Sequence, residues 1–182
     1  MNFIKTKISD IIICEPKVHE DERGYFFESF KKESFEKFIG HAVNFCQDNE
    51  AKSTKGVLRG LHYQLPPFAQ SKLVRVIKGS VLDIAVDIRK KSKTFGKYVA
   101  VELSETNKKQ LFVPQGFAHG YVVLSKEAIF AYKVDNYYNK SSERGILFND
   151  KMLQIDWQLS EDEILISEKD KVQKSFNEAD YF

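Results

Sequence analysis

The sequence has little of what marks several protein classes. Only two cysteines and four histidines occur in 182 residues. Cys14 and Cys46 show no C-x-x-C spacing, which disfavours zinc ribbons and multi-finger proteins. Two isolated thiols point to a reducing, cytosolic setting rather than to a disulfide framework. No charge of one sign dominates: 28 Lys and Arg against 26 Asp and Glu leave a formal net charge of +2. The overall electrostatics therefore ask for neither a nucleic acid nor a membrane surface as partner, although a local basic pocket can still hold an anion. No apolar run reaches the length of a membrane span. The opening MNFIKTKISDIIICEP has only Ile11 to Ile13 where a secretory signal carries a longer apolar core. Repeats, low-complexity tracts and linker-like stretches are missing too. The length suits one domain, read as residues 1–182.

What is present favours strands. Val and Ile, 14 each, outnumber the 12 Leu, and 15 Phe and 8 Tyr add aromatic bulk. Residues 3–13 read as an apolar opening strand, and 21–24 as a turn leading into a strand from Tyr25. Phe35, Phe38 and Ile39 are spaced i, i+3, i+4 before Gly40, which predicts a short helix over 33–40. In 80–88, Leu82, Ile84, Val86 and Ile88 alternate with Val81, Asp83, Ala85 and Asp87, the period of a strand. Further strands are expected at 98–103, 111–114, 120–125 and 128–135, with turn signals between them. LSEDEILISEKDKVQ reads as a short strand and then a polar helix. The expected class is mainly β, a sandwich or barrel with short peripheral helices.

The residues able to do chemistry are scattered. KGVLRGLHYQ (55–64) sets Arg59, His62 and Gln64 in a run that is otherwise core-like, and such groups need partners or a wet cavity. A lone strand histidine is more often structural than catalytic, so it is this company that marks His62. FVPQGFAHGY adds His119. Two imidazoles fall short of the three strong ligands a catalytic metal usually needs, unless a carboxylate such as Glu28 completes the set; a metal-free, cofactor-free site is the expectation. Lys72 reads by base rate as a solvated side chain. Arg23 is a turn residue or a bidentate fork for phosphate, and Tyr132, Tyr137 and Tyr138 are ordinarily packing residues with wet hydroxyls.

Taken in order, DERGYFFESF, QDNEAKSTKGVLRGLHYQLPPFAQSKLVRVIKG, FVPQGFAHGYVVLS, YKVDNYYNKSSERGILFND and ILISEKD resemble the dTDP-4-dehydrorhamnose 3,5-epimerases, from about Asp21 to Asp170. The resemblance implies a cupin-type jelly roll, a homodimer, no metal, and a nucleotide-linked 4-keto-6-deoxyhexose as substrate. It implies His62 as general base, Asp170 as the carboxylate orienting it, and Tyr132 as general acid. Lys72 and His119 match hexose contacts, and Arg23 and Arg59 match residues gripping the diphosphate. Glu28, Gln47, Asn49, Glu143 and Lys169 match other nucleotide or sugar contacts, and Tyr138 the aromatic stacked on the thymine. Departures from the family pattern, at Ser71, Phe148, Lys151 and Gln158, fall in turns or beside these positions.

The implied reaction explains the residue types. C–H bonds flanking a 4-keto group are acidic because the carbanion delocalises onto the C4 oxygen. Inversion needs a base on one face and an acid on the other. Histidine titrates near neutral pH, a carboxylate fixes its tautomer, and a tyrosine keeps its proton until it is needed. Lys72 suits the developing enolate oxygen. The competing readings are a single-centre epimerase, a relative acting on a GDP- or CDP-linked sugar, a sugar-nucleotide-binding cupin without catalysis, and a metal-dependent cupin; the last is disfavoured by the missing His-x-His pattern.

Overall fold

The computed structural model describes residues 1–182. Its strands are, in chain order, β1 (Asn2–Lys5), β2 (Ile12–Glu15), β3 (His19–Asp21), β4 (Gly24–Phe26), β5 (Gln47–Thr54), β6 (Val57–Gln64) and β7 (Lys72–Lys78). Then follow β8 (Ser80–Asp87), β9 (Tyr98–Ser104), β10 (Gln110–Val113), β11 (Phe117–Val123), β12 (Glu127–Val134), β13 (Glu143–Gly145) and β14 (Leu165–Ile166). Two short helices are added, α1 (Lys32–Ile39) and α2 (Glu168–Lys171).

One sheet has the order β1-β2-β10-β7-β12-β5 and the other β13-β6-β11-β8-β9, with β14 parallel to β6. Most successive strands from β5 to β13 change sheet, the crossing pattern of a jelly roll. Apolar residues of both sheets meet in one core: Val74, Val76, Leu111 and Phe130 from the first, Val81, Ala85, Leu103 and Val123 from the second. This is the mainly β, jelly-roll architecture expected, built as two sheets that keep separate ladders.

Strand β8 shows why the period was legible. Leu82, Ile84 and Val86 pack in a second core under Leu153, Trp157 and Phe176 of the C-terminal segment. Val81 and Ala85 point between the sheets. Both faces are covered, so even its polar positions are buried, and Asp83 and Asp87 are each 0% exposed. The outer face of the first sheet is closed by α1, whose Phe35 packs with Ile12, Cys14, Leu73 and Phe112. Helix α1 ends where expected, Gly40 taking the left-handed conformation at φ 82°.

Three expectations change. Residues 3–13 are two strands, not one: β1 and β2 pair antiparallel, because the turn between them buries both Ile8 and Ile11, with Ile11 N–H donating to the Ile8 carbonyl. The strand from Tyr25 stops at Phe26, paired only with β3. The strand expected at 120–125 begins at Phe117, so His119 lies inside it. The C-terminal strand and polar helix form as expected, at β14 and α2.

Candidate active site

A cavity of about 560 Å3 opens between the sheets. Its walls carry Arg59 and His62 of β6, Lys72 of β7, His119 and Tyr121 of β11, and Tyr132 of β12; Leu165, Lys169 and Asp170 come from the C-terminal segment. Arg59 and His62 are three positions apart, a spacing that puts side chains on opposite faces of a regular strand. The pairing with β11 shifts here: His119 faces His62, but Tyr121 faces Arg59. Gly60, at φ 140°, provides the irregularity, and a Cβ on it would sit 2.5 Å from the Gly120 Cα. The slip turns both polar residues into the cavity. Gln64 serves structure instead: it is buried, donates to the carbonyls of Phe68 and Tyr137 and accepts from Asn139 N–H.

His62 Nε2 lies 2.6 Å from Asp170 Oδ1. The carboxylate side chain is 5% exposed and the imidazole 30%. Burial alone would raise the Asp170 pKa, but the His62 bond, with help from Ser167 and Gln173, holds it below the usual carboxylate range. Nε2–H thus donates to an ionised partner, and Nδ1 is left free to accept a proton. Asp170 gets its place from a helix cap: its backbone N–H donates to Ser167 Oγ, 3.2 Å away.

A second imidazole–carboxylate pair lies beside the first. His119 Nε2 is 2.9 Å and 3.1 Å from the two oxygens of Asp83. Burial pushes the His119 pKa down and the Asp83 pKa up, each opposed by the partner. Lys72 is no solvated side chain: burial pulls its pKa down to about 8, against the raising influence of Asp83 and Glu143. Burial raises the Tyr132 pKa, Arg59 opposing, so the phenol keeps its proton at neutral pH. Arg59 Nε donates to Ser53 Oγ at 3.2 Å.

At the rim, Tyr138 Oη donates to Glu143 Oε2 at 2.9 Å, and Lys169 Nζ meets Glu143 Oε1 at 2.6 Å. Gln47 and Asn49 share one face of β5, with Gln47 Nε2 donating to Asn49 Oδ1, four and two positions from the cavity-lining Ala51. Arg23 and Glu28 are not brought to this cavity. Arg23 is exposed in the β3–β4 hairpin and bonded to Asp21, and Glu28 is exposed just beyond it. The sequence reading missed Asp83, Tyr121, Ser53 and Ser167. Asp83 alone carried a signal, a carboxylate amid Leu82 and Ile84.

The family model for dTDP-4-dehydrorhamnose 3,5-epimerase matches residues 5–178. The chain is 58% identical to the dTDP-4-dehydrorhamnose 3,5-epimerase of Shigella flexneri over 182 residues, covering 100% of this chain and 99% of that protein. It resembles the crystal structure of the Legionella pneumophila Philadelphia 1 dTDP-6-deoxy-D-glucose-3,5-epimerase in complex with dTDP-4-keto-L-rhamnose, with TM-score 0.94, 50% identity, and 98% and 94% of the two chains covered. It also resembles ChmJ, a 3'-monoepimerase from Streptomyces bikiniensis in complex with dTDP-quinovose, with TM-score 0.87, 30% identity, and 94% and 86% covered. The chain belongs to the dTDP-4-dehydrorhamnose 3,5-epimerase family.

Proposed function

We propose that this protein is an isomerase that inverts C3 and C5 of dTDP-4-dehydro-6-deoxy-D-glucose to give dTDP-4-dehydro-L-rhamnose. The observation that carries the reading is the His62–Asp170 pair, 2.6 Å apart, in one cavity with Tyr132 and Lys72. In this reading His62 Nδ1 takes the proton from C3 or C5, and the electron pair of that C–H bond moves onto the C4 oxygen. Asp170 stabilises the imidazolium that forms. Lys72 donates to the enolate oxygen, a role worth ~3–4 kcal/mol by analogy with oxyanion-hole donors. Tyr132 then protonates the same carbon from the opposite face, and exchange with solvent restores both groups. One proton leaves and one arrives at each centre, so the product is an isomer.

Arg59 holds the diphosphate, His119 contacts the hexose, and Tyr138 stacks on the thymine, with Glu143, Lys169, Gln47 and Asn49 around the nucleotide and sugar. Remote binding of this kind positions the reacting carbon. Arg23 and Glu28 act from a second copy of the chain, in a homodimer; the exposed hairpin that carries Arg23 and leads into Glu28, with Tyr25 56% and Phe26 69% exposed, supports that placement. Two free cysteines fit a reducing cytoplasm, and no helix is long and apolar enough to cross a membrane.

Inversion of one centre only is a second reading, favoured by the likeness to a 3'-monoepimerase. Incubating the protein with dTDP-4-keto-6-deoxyglucose in deuterated water, with NMR detection at C3 and C5, tests both. Deuterium at both centres supports double inversion and deuterium at one supports the second reading. Its absence from both overturns the epimerase assignment and leaves a binding protein or another nucleotide sugar.

A further inference from the structure

Of Arg59, His62 and Gln64 on β6, only Gln64 has no place in the reaction above, and it is 5% exposed. A carboxamide so deeply buried is kept only where its hydrogen bonds are made. Its Nε2 donates to the carbonyls of Phe68 at 2.7 Å and Tyr137 at 3.1 Å, and its Oε1 accepts from Asn139 N–H at 2.7 Å. The Tyr137 carbonyl and the Asn139 N–H belong to the two peptide groups on either side of Tyr138. One side chain thus holds both peptide planes that meet at the Tyr138 Cα. Turning the carboxamide over would set its oxygen against two carbonyls and its NH2 against an N–H, so its own orientation is fixed as well.

The loop that carries Tyr138 has little else to hold it. Residues 135–142 run from β12 to β13, and none of them belongs to an apolar cluster. Tyr137 and Tyr138 are 62% and 57% exposed. The remaining ties are polar and lie toward the ends of the loop. Gln70 Nε2 donates to the Asn136 carbonyl at 2.7 Å, and Asn136 Nδ2 to the Pro67 carbonyl at 3.0 Å. Leu65 N–H donates to the Ser142 carbonyl at 2.9 Å. Ordering a loop at the moment of binding costs affinity, so an exposed ring stacks well on a base only when its backbone is set beforehand. We propose that Gln64 is a positioning residue for base recognition, which presets Tyr138 and so presents its ring to the base of the nucleotide. This rests on the stacking role given to Tyr138 above and adds the residue that prepares it. The strand that carries His62 thereby sets the nucleotide end of the site as well.

The test titrates dTDP, and inorganic pyrophosphate as a probe without a base, by calorimetry. The proteins are wild type, Gln64→Met, Tyr138→Ala and the double variant. Gln64→Asn, which keeps a buried carboxamide but withdraws it by one methylene, is run beside them, with circular dichroism and thermal melting to establish folding. Each Gln64 variant should lose about tenfold in dTDP affinity, the size of a base–aromatic stack, with pyrophosphate affinity unchanged. In the Tyr138→Ala background the Gln64 change should add less than about twofold. Equal losses for dTDP and pyrophosphate, no loss for either, or additive losses in the double variant overturn the positioning role. A loss in Tyr138→Ala but in neither Gln64 variant overturns it too, and leaves the stacking intact. If Tyr138→Ala costs nothing, the stacking role falls and the proposal with it; if wild type does not bind dTDP, the nucleotide-sugar reading itself falls.

Discussion

Replacing Asp170 by Asn separates charge from shape in the proposed base. The side chain keeps its outline and its Oδ1 can still accept from Nε2, so the ring stays placed while the ionic partner is lost. In the native protein the carboxylate is 5% exposed and its oxygen lies 2.6 Å from Nε2. When His62 takes a proton, the new positive charge meets that buried carboxylate. A hydrogen bond between charged groups is worth about 1.5–3 kcal/mol. At ~1.4 kcal/mol per decade this corresponds to roughly 10- to 150-fold in rate. A charge separation of about 4 Å at an effective dielectric of ~20 gives ~4 kcal/mol, an upper bound near 10^3-fold. Asp170→Asn should therefore lower kcat about 100-fold with KM nearly unchanged, because the interaction strengthens only as the proton moves. The assay is deuterium exchange at C3 and C5 alongside product formation, on protein with a native melting profile. A loss smaller than about threefold would falsify the assignment of Asp170 as partner to the base.

Other perturbations address neighbouring groups. Lys72→Met should cost about 100-fold in kcat if the ammonium stabilises the enolate. In the native enzyme the rate should fall as pH rises through about 8, where Lys72 loses its proton; a flat profile from pH 7 to 9 would contradict the role. The same depressed pKa has the opposite sign for folding. The unfolded chain binds the extra proton between about 8 and the ordinary 10.5, so this group's contribution to stability grows with pH across that window, as urea titrations at pH 7.5 and 9.5 would reveal. Gly145→Ala tests the surroundings of the base: Gly145 pairs with His62, and a Cβ there would lie 2.4 Å from the Gln173 amide carbon. The flexible amide should move off Asp170 and lower kcat several-fold. Gln173→Ala should do the same, and the double variant no more than either alone; additive losses would show two independent effects.

The legible parts of this fold were those decided locally. The two-residue period of 80–88 and the glycine ending α1 follow from side-chain alternation and backbone permissiveness, and both appear in the structure. The N-terminal strands were misread because the apolar residues Ile8 and Ile11 are buried by a turn rather than by a ladder. Asp83 is read only as one position of the alternating run 80–88, because nothing near it in the chain shows that its partner, His119, lies 36 residues away. Arg59 and His62 stood out as polar company, but their common orientation depends on the slip at Gly60, which appears only when β6 is laid beside β11. The His62–Asp170 pairing spans 108 residues and was accessible only through family resemblance.

That long span has a physical consequence for how the site is held. Helix α2 has four residues, far too few to be stable alone, so Asp170 depends on the segment around it. The Asp150 carboxylate gathers the backbone N–H groups of Met152, Leu153 and Phe176. Leu147 N–H donates to the Lys174 carbonyl, and Leu165 N–H to the Gly56 carbonyl. Trp157 and Phe176 bury their rings against the outer face of the second sheet. A Cβ on Gly56 would stand 2.1 Å from the Glu163 carbonyl oxygen, so a side chain there would force this segment away from the sheet. The base thus sits on a strand paired on both sides, and the carboxylate that tunes it is carried by a strap. Loosening of the strap would move Asp170 away from His62 while leaving both sheets intact, which makes the C-terminal segment the part of the fold most directly coupled to chemistry.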